Sequence, residues 1–560
     1  MQPHGSRPLQ IAYPPSTMIP STQSAVQLVG ADQLTLTPNK SVPAPGATQF
    51  LAKVECVGLC QSDMKLLHQF NGHVRKSPVL AHLGEEILKD IPSYVPGDKA
   101  TVPGHEVVVT IVSKGTQVHS VEQGKRYLVQ ADFRDLKTAS SNGAFGYNFE
   151  GGLQQYVLLD ERVTVAKDGT SYLIPVPEER SASQIALVEP WACIEDSFIV
   201  RERRTLKAGG TCLLALAPGS TPDMTGLDWA TCGKRLVVGG DILGFERVEI
   251  ENLAAKSIDD LVVIGGDADL LDRLLPLLAN HGVAALAIAG KRYRRLVKLP
   301  VGRVHYGNVR VVGTNSARPA DAYARIPQSG EVRIGDHVQI VGAAGPMGQM
   351  ATIRLASLGR GLSIEAFDRN GARVETLRQK AEPVALSRGV QLRCFDATID
   401  SPAAYPDYTM IMVPVPALVS TAVNSSRPKG IINIFAGIPA DVWEPIDLDL
   451  YIGRGLYMIG TSGSTMEDMN AVLAKVLANT LDTNLSVGAV SGMAGAIQGL
   501  QAVKAGTMNG KILVYPELAD LPLLELDDLA ERFPTVGAKL VGGGWTREAE
   551  LELLRVAKPK

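Results

Sequence analysis

Three segments between residues 259 and 314 of this 560-residue chain recur, in the same order, about 148 residues further on. Each segment is a short apolar run punctuated by glycine, and the three offsets are 148, 147 and 148 residues. The matching pairs are 282–290 with 430–437, 311–314 with 458–461, and 259–263 with 407–411. This repeat predicts two tandem doubly wound α/β modules, over residues 205–328 and 329–480. The alternative explanation of this similarity is that any two α/β modules share strands followed by glycine.

Length and composition narrow the classes of protein to which the chain can belong. A chain of 560 residues holds about three to four domains. The net charge of −3 provides no positive field for phosphate backbones, so we expect no nucleic-acid partner. Six scattered cysteines argue against a disulfide framework. We expect a cytoplasmic protein without a membrane span, because the apolar stretch 274–290 is too short for a bilayer.

The first third of the chain has a different pattern from the rest. Short β-branched runs separated by glycine and proline predict an all-β module. Residues 1–22, rich in proline and serine, are predicted to be a disordered arm. The predicted strands are 49–57, 107–112, 126–129 and 153–158.

A glycine turn in the second α/β module carries the pattern of a dinucleotide site. The predicted strand 338–341 leads into G-x-x-G-x-x-G and then a helix, so backbone amides and the helix dipole can meet a pyrophosphate. Asp368 ends the next strand, 20 residues after the last glycine, where it can bind the ribose hydroxyls; this favours NAD. Arg369 leaves NADP open. The candidate cofactor-binding residues are Gly342, Gly345, Pro346, Met347, Gly348, Asp368 and Arg369.

The first α/β module lacks this turn. Its strand 211–217 runs into Pro218 and Gly219 without the glycine triplet, although Asp241 closes a plausible second strand. The pyrophosphate therefore has no cradle. The sequence indicates a degenerate copy that serves as a scaffold or binds another ligand.

Cysteine, histidine and carboxylate side chains in the first third could form a metal site. Catalytic zinc takes three protein ligands of these types and keeps one position open. Cys60, His105 and Glu189 supply that mixture, and Glu106 could bind or exchange as a second carboxylate. Their separations carry no spacing signal, and each residue alone is more often structural.

Several motifs occur in a fixed order along the chain: 58–63 (GLCQSD), 103–106 (PGHE), 150–156 (EGGLQQY), 188–191 (VEPW) and the nucleotide turn. Together they resemble the zinc-dependent medium-chain dehydrogenase/reductase family, the alcohol and polyol dehydrogenases. Their residues are most similar to those of sugar-alcohol phosphate dehydrogenases of the sorbose-phosphate reductase type.

This resemblance implies a GroES-like catalytic domain, formed by residues 23–204 and 481–560, beside the degenerate and the NAD-binding Rossmann-like modules. It implies one catalytic zinc and hydride transfer between a nicotinamide and a secondary alcohol or ketone. Ser62 would relay the alcohol proton, while Lys65 replaces a histidine that many relatives carry. No cysteine lies between Cys60 and Cys193, so no structural zinc is predicted; Cys193 is either a substitute ligand or a core residue. The family also implies a homo-oligomer.

Basic side chains after Ser62 bear on the substrate. They form either a solvated face or a site for an anionic group. With the resemblance, they lead us to expect a polyol or phosphopolyol substrate. These residues are Lys65, His68, His73, Arg75, Lys76 and His82.

Two other functions fit parts of the sequence. A zinc-free quinone or enoyl reductase would explain the extra residue in the glycine turn. A non-catalytic nucleotide-sensing scaffold would explain the degenerate module and the length. The role of the 44 residues after Pro516 stays open between packing within the chain and binding a neighbour.

Overall fold

Residues near both ends of the chain build one mixed β-sheet. The computed structural model describes residues 19–400, 405–461 and 463–558. The arm predicted for residues 1–22 lies outside the described residues up to position 18, and the first strand already begins at Thr22. The N-terminal elements are β1 (Thr22–Gly30), β2 (Gln33–Ser41), β3 (Gln49–Gly58), α1 (Gln61–Gln69), α2 (Glu85–Lys89), β4 (Glu106–Lys114), β5 (Arg126–Val129), β6 (Asp132–Lys137), β7 (Asn142–Ala144), β8 (Tyr156–Asp160), α3 (Glu161–Thr164), β9 (Leu173–Val176), α4 (Ala182–Ala186) and α5 (Val188–Asp196).

A six-stranded parallel sheet follows, and its strands are largely buried, as expected where both faces of a sheet are covered, except for the exposed edge strand Glu246–Arg247. Between the first two strands the chain forms only turns and a three-residue 3₁₀ helix. The elements are β10 (Thr211–Leu216), β11 (Lys234–Val238), β12 (Glu246–Arg247), β13 (Ile258–Ile264), α6 (Ala268–Leu274), β14 (Leu278–Ala287), β15 (Val297–Leu299), α7 (Val301–Tyr306), β16 (Arg310–Thr314) and α8 (Pro319–Tyr323).

A second six-stranded parallel sheet comes next, and here a 13-residue helix follows the first strand. Its elements are β17 (His337–Val341), α9 (Pro346–Leu358), β18 (Ser363–Asp368), α10 (Gly371–Ser387), β19 (Gln391–Asp396), β20 (Tyr408–Ile411), α11 (Ala417–Ser425), β21 (Ile431–Ile434), β22 (Glu444–Ile446), α12 (Leu448–Arg454), β23 (Tyr457–Ile459) and α13 (Met466–Leu477).

The C-terminal residues return to the first sheet. Strand β25 pairs antiparallel with β3, so the central strand of the N-terminal region has a C-terminal neighbour. The last elements are β24 (Val487–Ser491), α14 (Met493–Ala505), β25 (Lys511–Val514), β26 (Leu524–Glu525), α15 (Leu526–Arg532), α16 (Pro534–Gly537) and α17 (Arg547–Val556).

The strand orders define the architecture. The mixed sheet runs β26-β24-β25-β3-β4-β5-β9, with β8 also paired to β3. The parallel sheets run β12-β11-β10-β13-β14-β16 and β19-β18-β17-β20-β21-β23, both in the 3-2-1-4-5-6 order of doubly wound nucleotide-binding folds. Strands β15 and β22 belong to neither sheet and pair with each other. The predicted combination of α/β and β-rich structure is therefore confirmed. Among the described residues, no helix has both the length and the apolar character that a membrane crossing requires.

Candidate active site

Pairing of β3 with β4 brings two of the sequence motifs together. Cys60 is the N-cap of α1, just after β3, and Glu106 begins β4 opposite Gly58. A Cβ atom on Gly58 would lie 2.0 Å from Oε2 of Glu106, so the glycine makes room for the carboxylate. One ligand atom each from Cys60, His105 and Glu106 lie within 4.8 Å of one another.

Asp63 fixes the orientation of the histidine in this group. Its Oδ1 lies 3.0 Å from His105 Nδ1, and its Oδ2 accepts a hydrogen bond from the Cys60 amide at 3.1 Å. His105 Nε2 is left facing the Ser62 hydroxyl at 3.1 Å, and that hydroxyl is also 3.1 Å from Cys60 Sγ. A carboxylate on the far ring nitrogen is the usual support of a metal-binding histidine. The sequence analysis missed Asp63, although it lies within the first motif.

The second carboxylate is held by a lysine from the C-terminal strand. Lys511 Nζ lies 2.5 Å from Glu106 Oε1 and donates to the carbonyl of Leu59 at 2.6 Å. Burial lowers the pKa of Lys511, but the charges of Glu106 and Cys60 and the hydrogen bond to Glu106 together outweigh burial, so the pKa is raised. Glu106 Oε2 is buried without a hydrogen-bond partner, an arrangement that a cation would satisfy.

Glu189 lies beside this group rather than inside it. It is buried on α5, and Cys193 Sγ lies 3.8 Å from its Oε1. Burial raises the pKa of Glu189, the charge of His105 lowers it, and Glu106 raises it further. The compact group therefore contains Glu106 in place of the predicted Glu189. The role of Glu189 as a ligand stays a prediction.

Aromatic and basic side chains form the wall next to His105. The ring of Tyr147 lies 5.6 Å from the His105 ring and 5.3 Å from that of His73. The guanidinium of Arg75 lies 5.3 Å from the Tyr147 centroid. Burial raises the pKa of Tyr147 despite the opposing charges of His105 and Arg75. Tyr147 is a site residue that no sequence motif predicted.

The basic side chains that were candidates for an anionic substrate divide into two groups. Lys76 is fully buried and donates to the carbonyls of Val95 and Lys99, so it is neither a solvated residue nor a substrate donor. His68 pairs with Asp32 at the surface, and His82 is half-buried on a loop. Three members remain: His73 and Arg75 lie against the Tyr147 ring beside His105, and Lys65 contacts the Tyr306 hydroxyl.

The glycine turn after β17 has the geometry of an anion site. Gly342 has a φ of 83°, and a Cβ atom on Gly348 would lie 2.3 Å from the Gly342 carbonyl, so both positions require glycine. Gly345 is the N-cap of α9, Pro346 follows at the first turn, and no side chain caps this helix end. The amides near Met347 are thus uncapped by side chains, as a bound pyrophosphate requires. At Gly345 a Cβ atom would meet nothing closer than 3.8 Å, so packing inside the protein does not require this glycine.

Asp368 ends β18 and closes the same turn. Its Oδ2 accepts a hydrogen bond from the Ala344 amide at 3.0 Å, and its Oδ1 accepts one from Asn370 at 3.2 Å. The acidic side chain therefore braces the glycine turn at the carboxyl end of the sheet, where doubly wound folds bind ligands. Arg369, next to it, is exposed.

The sequence of this chain is similar to those of known dehydrogenases and reductases. Residues 46–169 match the alcohol dehydrogenase GroES-like domain. L-sorbose 1-phosphate reductase of Klebsiella pneumoniae is 29% identical over 240 residues, which is 40% of this chain and 57% of that protein. The GroES-like domain of the alcohol dehydrogenases is therefore present in this chain, as the resemblance of the motifs predicts.

Two further proteins are similar to this chain. An uncharacterized zinc-type alcohol dehydrogenase-like protein of Escherichia coli is 26% identical over 145 residues, 24% of this chain and 37% of that protein. The crystal structure of 2R,3R-butanediol dehydrogenase from Bacillus subtilis aligns with a TM-score of 0.50 and 15% identity, covering 88% of this chain and all of that one. This last similarity supports the fold alone. The chain spans little more than half the length of the first curated relatives that it matches.

Proposed function

We propose that this dehydrogenase-family chain is a zinc- and nicotinamide-dependent oxidoreductase that interconverts a secondary alcohol and a ketone of a polyol or sugar phosphate. The observation that supports this most strongly is the buried group of Cys60, His105 and Glu106, whose ligand atoms lie within 4.8 Å. Thiolate, imidazole and carboxylate are the donors of catalytic zinc sites. A zinc-free reductase has no need for a buried carboxylate oxygen that lacks a partner.

The chain's own side chains have separate tasks in this reaction. A zinc ion held by Cys60, His105 and Glu106 would polarise the substrate oxygen, and the nicotinamide would accept the hydride. Ser62, in contact with both Cys60 and His105, is placed to relay the hydroxyl proton: it accepts that proton and passes its own toward solvent as the alcohol becomes a ketone. Asp63 holds His105 with Nε2 directed into the site.

Two basic side chains near the Cys60, His105 and Glu106 group, Lys65 and Arg75, support an anionic substrate. The ammonium of Lys65 and the guanidinium of Arg75 are both suited to phosphate, and Arg75 can bind two oxygens at once. The K. pneumoniae relative is named for a sugar phosphate. We therefore favour a phosphorylated polyol or ketose over a free one, and NAD over NADP because of Asp368.

The two parallel sheets fit tandem nucleotide-fold modules, of which only the second binds the cofactor. In the first, Lys291 Nζ lies 3.1 Å from both the Pro218 carbonyl and the Ser220 hydroxyl, so a side chain of the protein fills the turn after β10. No helix follows that strand, which leaves no dipole for a pyrophosphate. We assign the first module a scaffold role.

Metal analysis and steady-state kinetics on the full chain test the proposal. We expect about one zinc per chain, NADH-dependent reduction of ketose phosphates, and loss of activity on chelation. Lys65→Ala and Arg75→Ala should each raise KM for the phosphorylated substrate at least tenfold, with little effect on the free one. Lys89→Ala, at an exposed lysine of the same domain, is the control.

Other outcomes would assign the chain differently. Metal-free protein with NADPH-dependent reductase activity would make it a zinc-free reductase. Nucleotide binding without turnover of any alcohol or ketone would make it a sensing scaffold. Equal turnover of free and phosphorylated substrates by all variants would remove the phosphate from the proposal.

A further inference from the structure

Corresponding elements of the two parallel modules stand at one spacing. Strands β15 and β22 begin 147 residues apart, as do helices α7 and α12 and strands β16 and β23. The sequence repeat therefore extends to elements that lie beyond the nucleotide turn, where the two modules meet. Any contact between the modules can thus be checked for a counterpart shifted by 147 residues.

The pairing of β15 with β22 is symmetric: each outer residue pair is the counterpart of the other. The two strands run antiparallel, with Val297 opposite Ile446 and Leu299 opposite Glu444. Shifting either pair by the repeat distance gives the other pair. The local two-fold axis passes through the central pair, Lys298 and Pro445.

Side-chain packing around this strand pair is reciprocal too. A Cβ atom on Gly313 would lie 2.4 Å from the Ile452 side chain, and one on Gly460 would lie 3.2 Å from the His305 backbone. Gly313 and Gly460 are equivalent under the repeat, and so are His305 and Ile452. Contacts in which residue i meets j while the equivalent of j meets the equivalent of i define the isologous interface of a two-fold dimer. Here both halves belong to one chain.

One contact breaks the reciprocity and lies at the candidate active site. Tyr306, at the end of α7, accepts a hydrogen bond from Lys65 Nζ at 2.6 Å, and the ammonium lies 5.0 Å from its ring centroid. A Cβ atom on Gly437 would lie 2.4 Å from the Tyr306 hydroxyl, so the tyrosine rests on the loop after β21. The equivalent position in the second module is Gly453.

We propose that the first parallel module acts as a built-in second copy of the nucleotide-binding module, and that it completes the substrate cleft through Tyr306, which positions Lys65. The role given to Lys65 rests on the proposed function; the contact itself does not. Tyr306 holds the ammonium at the carboxyl end of the second sheet by a charge-assisted hydrogen bond. Tyr306 is thus a positioning residue, supplied by the module that binds no nucleotide.

Lysine footprinting by mass spectrometry tests the contact without a substrate. The full chain is acylated briefly, and labelling of Lys65 is compared between wild type, Tyr306→Phe and Gly437→Ala, which would displace the tyrosine hydroxyl. We expect Lys65 to be labelled about threefold faster in both variants, because its hydrogen bond is lost. Tyr293→Phe, which removes a partnerless buried hydroxyl from the same module, is the control and should leave Lys65 unchanged. Unaltered Lys65 labelling in both test variants would overturn the inference.

A double-mutant cycle then tests the function of the contact. We expect Tyr306→Phe to raise KM for a ketose phosphate about fivefold with kcat within twofold of wild type. In a Lys65→Met background the same change should have no further effect. Independent, multiplicative losses would show that Tyr306 does not act through Lys65. If the wild type turns over no sugar phosphate, the proposed function fails, and footprinting still decides the inference.

Discussion

The two parallel sheets share a strand order and differ in the segment after their first strand. In the second module β17 leads through a glycine turn into the uncapped helix α9. In the first, β10 leads into irregular turns that Lys291 fills. The comparison shows that a doubly wound sheet persists on packing alone, whereas a dinucleotide site requires the turn and the helix.

Helix α9 also joins the second module to the rest of the chain. Arg354 is buried on this helix, stacks 3.9 Å from the Phe198 centroid, and pairs with Glu195 and Glu331. We expect Arg354→Met to lower the free energy of unfolding by about 3–5 kcal/mol, because two carboxylates lose their buried partner. Urea denaturation measures this.

The first module offers a matched control for that change. Arg318 forms an exposed pair with Asp321, three residues away, so Arg318→Met should cost no more than about 0.5 kcal/mol. Equal destabilisation by both substitutions would show that α9 has no special anchoring role.

The glycine turn predicts the next largest effect. Gly345→Asp should weaken NADH binding at least 100-fold, about 2.7 kcal/mol, because a carboxylate would occupy the helix terminus that we propose for the pyrophosphate. Because the position is open toward the protein, the melting temperature should stay near that of wild type. Calorimetric titration and thermal unfolding measure the two quantities.

Gly219→Asp makes the same change in the first module's turn, where a Cβ atom meets nothing within 4 Å and the φ of 68° adds backbone strain. It should leave NADH affinity unchanged. A loss of NADH affinity in this variant would show that the first module, rather than the second, binds the cofactor.

Acid should weaken the anchor of α9 at a defined pH. Burial would raise the pKa of Glu195, but Arg354 and Lys475 outweigh it and lower the pKa to about 2 from an ordinary value of 4.5. A lowered pKa stabilises the fold above the unfolded value, and the benefit is lost as pH falls from about 4.5 toward 2. We expect Glu195→Gln to remove on the order of 2 kcal/mol of this acid-dependent stability.

Melting temperature followed from pH 6 to pH 3 measures this effect. The curve of Glu195→Gln should be flatter than that of wild type below pH 4.5, while Glu251→Gln, at an exposed pair of the first module, should follow wild type. Parallel curves for wild type and Glu195→Gln would contradict the assignment.

Asp368 predicts the smallest effect. Asp368→Asn should weaken NADH binding about tenfold and NADPH binding less, since the carboxylate braces the turn and, in the proposed function, binds the ribose hydroxyls. Asp241→Asn in the first module should change neither affinity. A loss that is equal for NADH and NADPH would limit Asp368 to bracing the turn.

Much of this architecture could be predicted because it is local. The glycine turn, the helix after it and Asp368 follow one another within about 30 residues, and the Cys60 and His105 motifs are short. The strand limits shifted by a few residues, and the strand expected at 153–158 is Tyr156–Asp160.

The partners of the metal group could not be read from the sequence in the same way. Lys511 reaches Glu106 across more than 400 residues, because β25 joins β3 from the far end of the chain. Tyr306 lies in a module whose turn argues against nucleotide binding, yet its side chain contacts Lys65. Lys76 looked like one of a basic run and is instead fully buried on backbone carbonyls. Such relations depend on how distant strands and modules pack.

The number of cofactors bound per chain tests the central claim most directly. Calorimetric titration of the full chain with NADH, combined with metal analysis of the same sample, should give one NADH and one zinc per 59.7 kDa chain. Two NADH per chain would show that the first module binds nucleotide after all. A chain that binds neither would contradict the proposed site in the second module and at Cys60, His105 and Glu106.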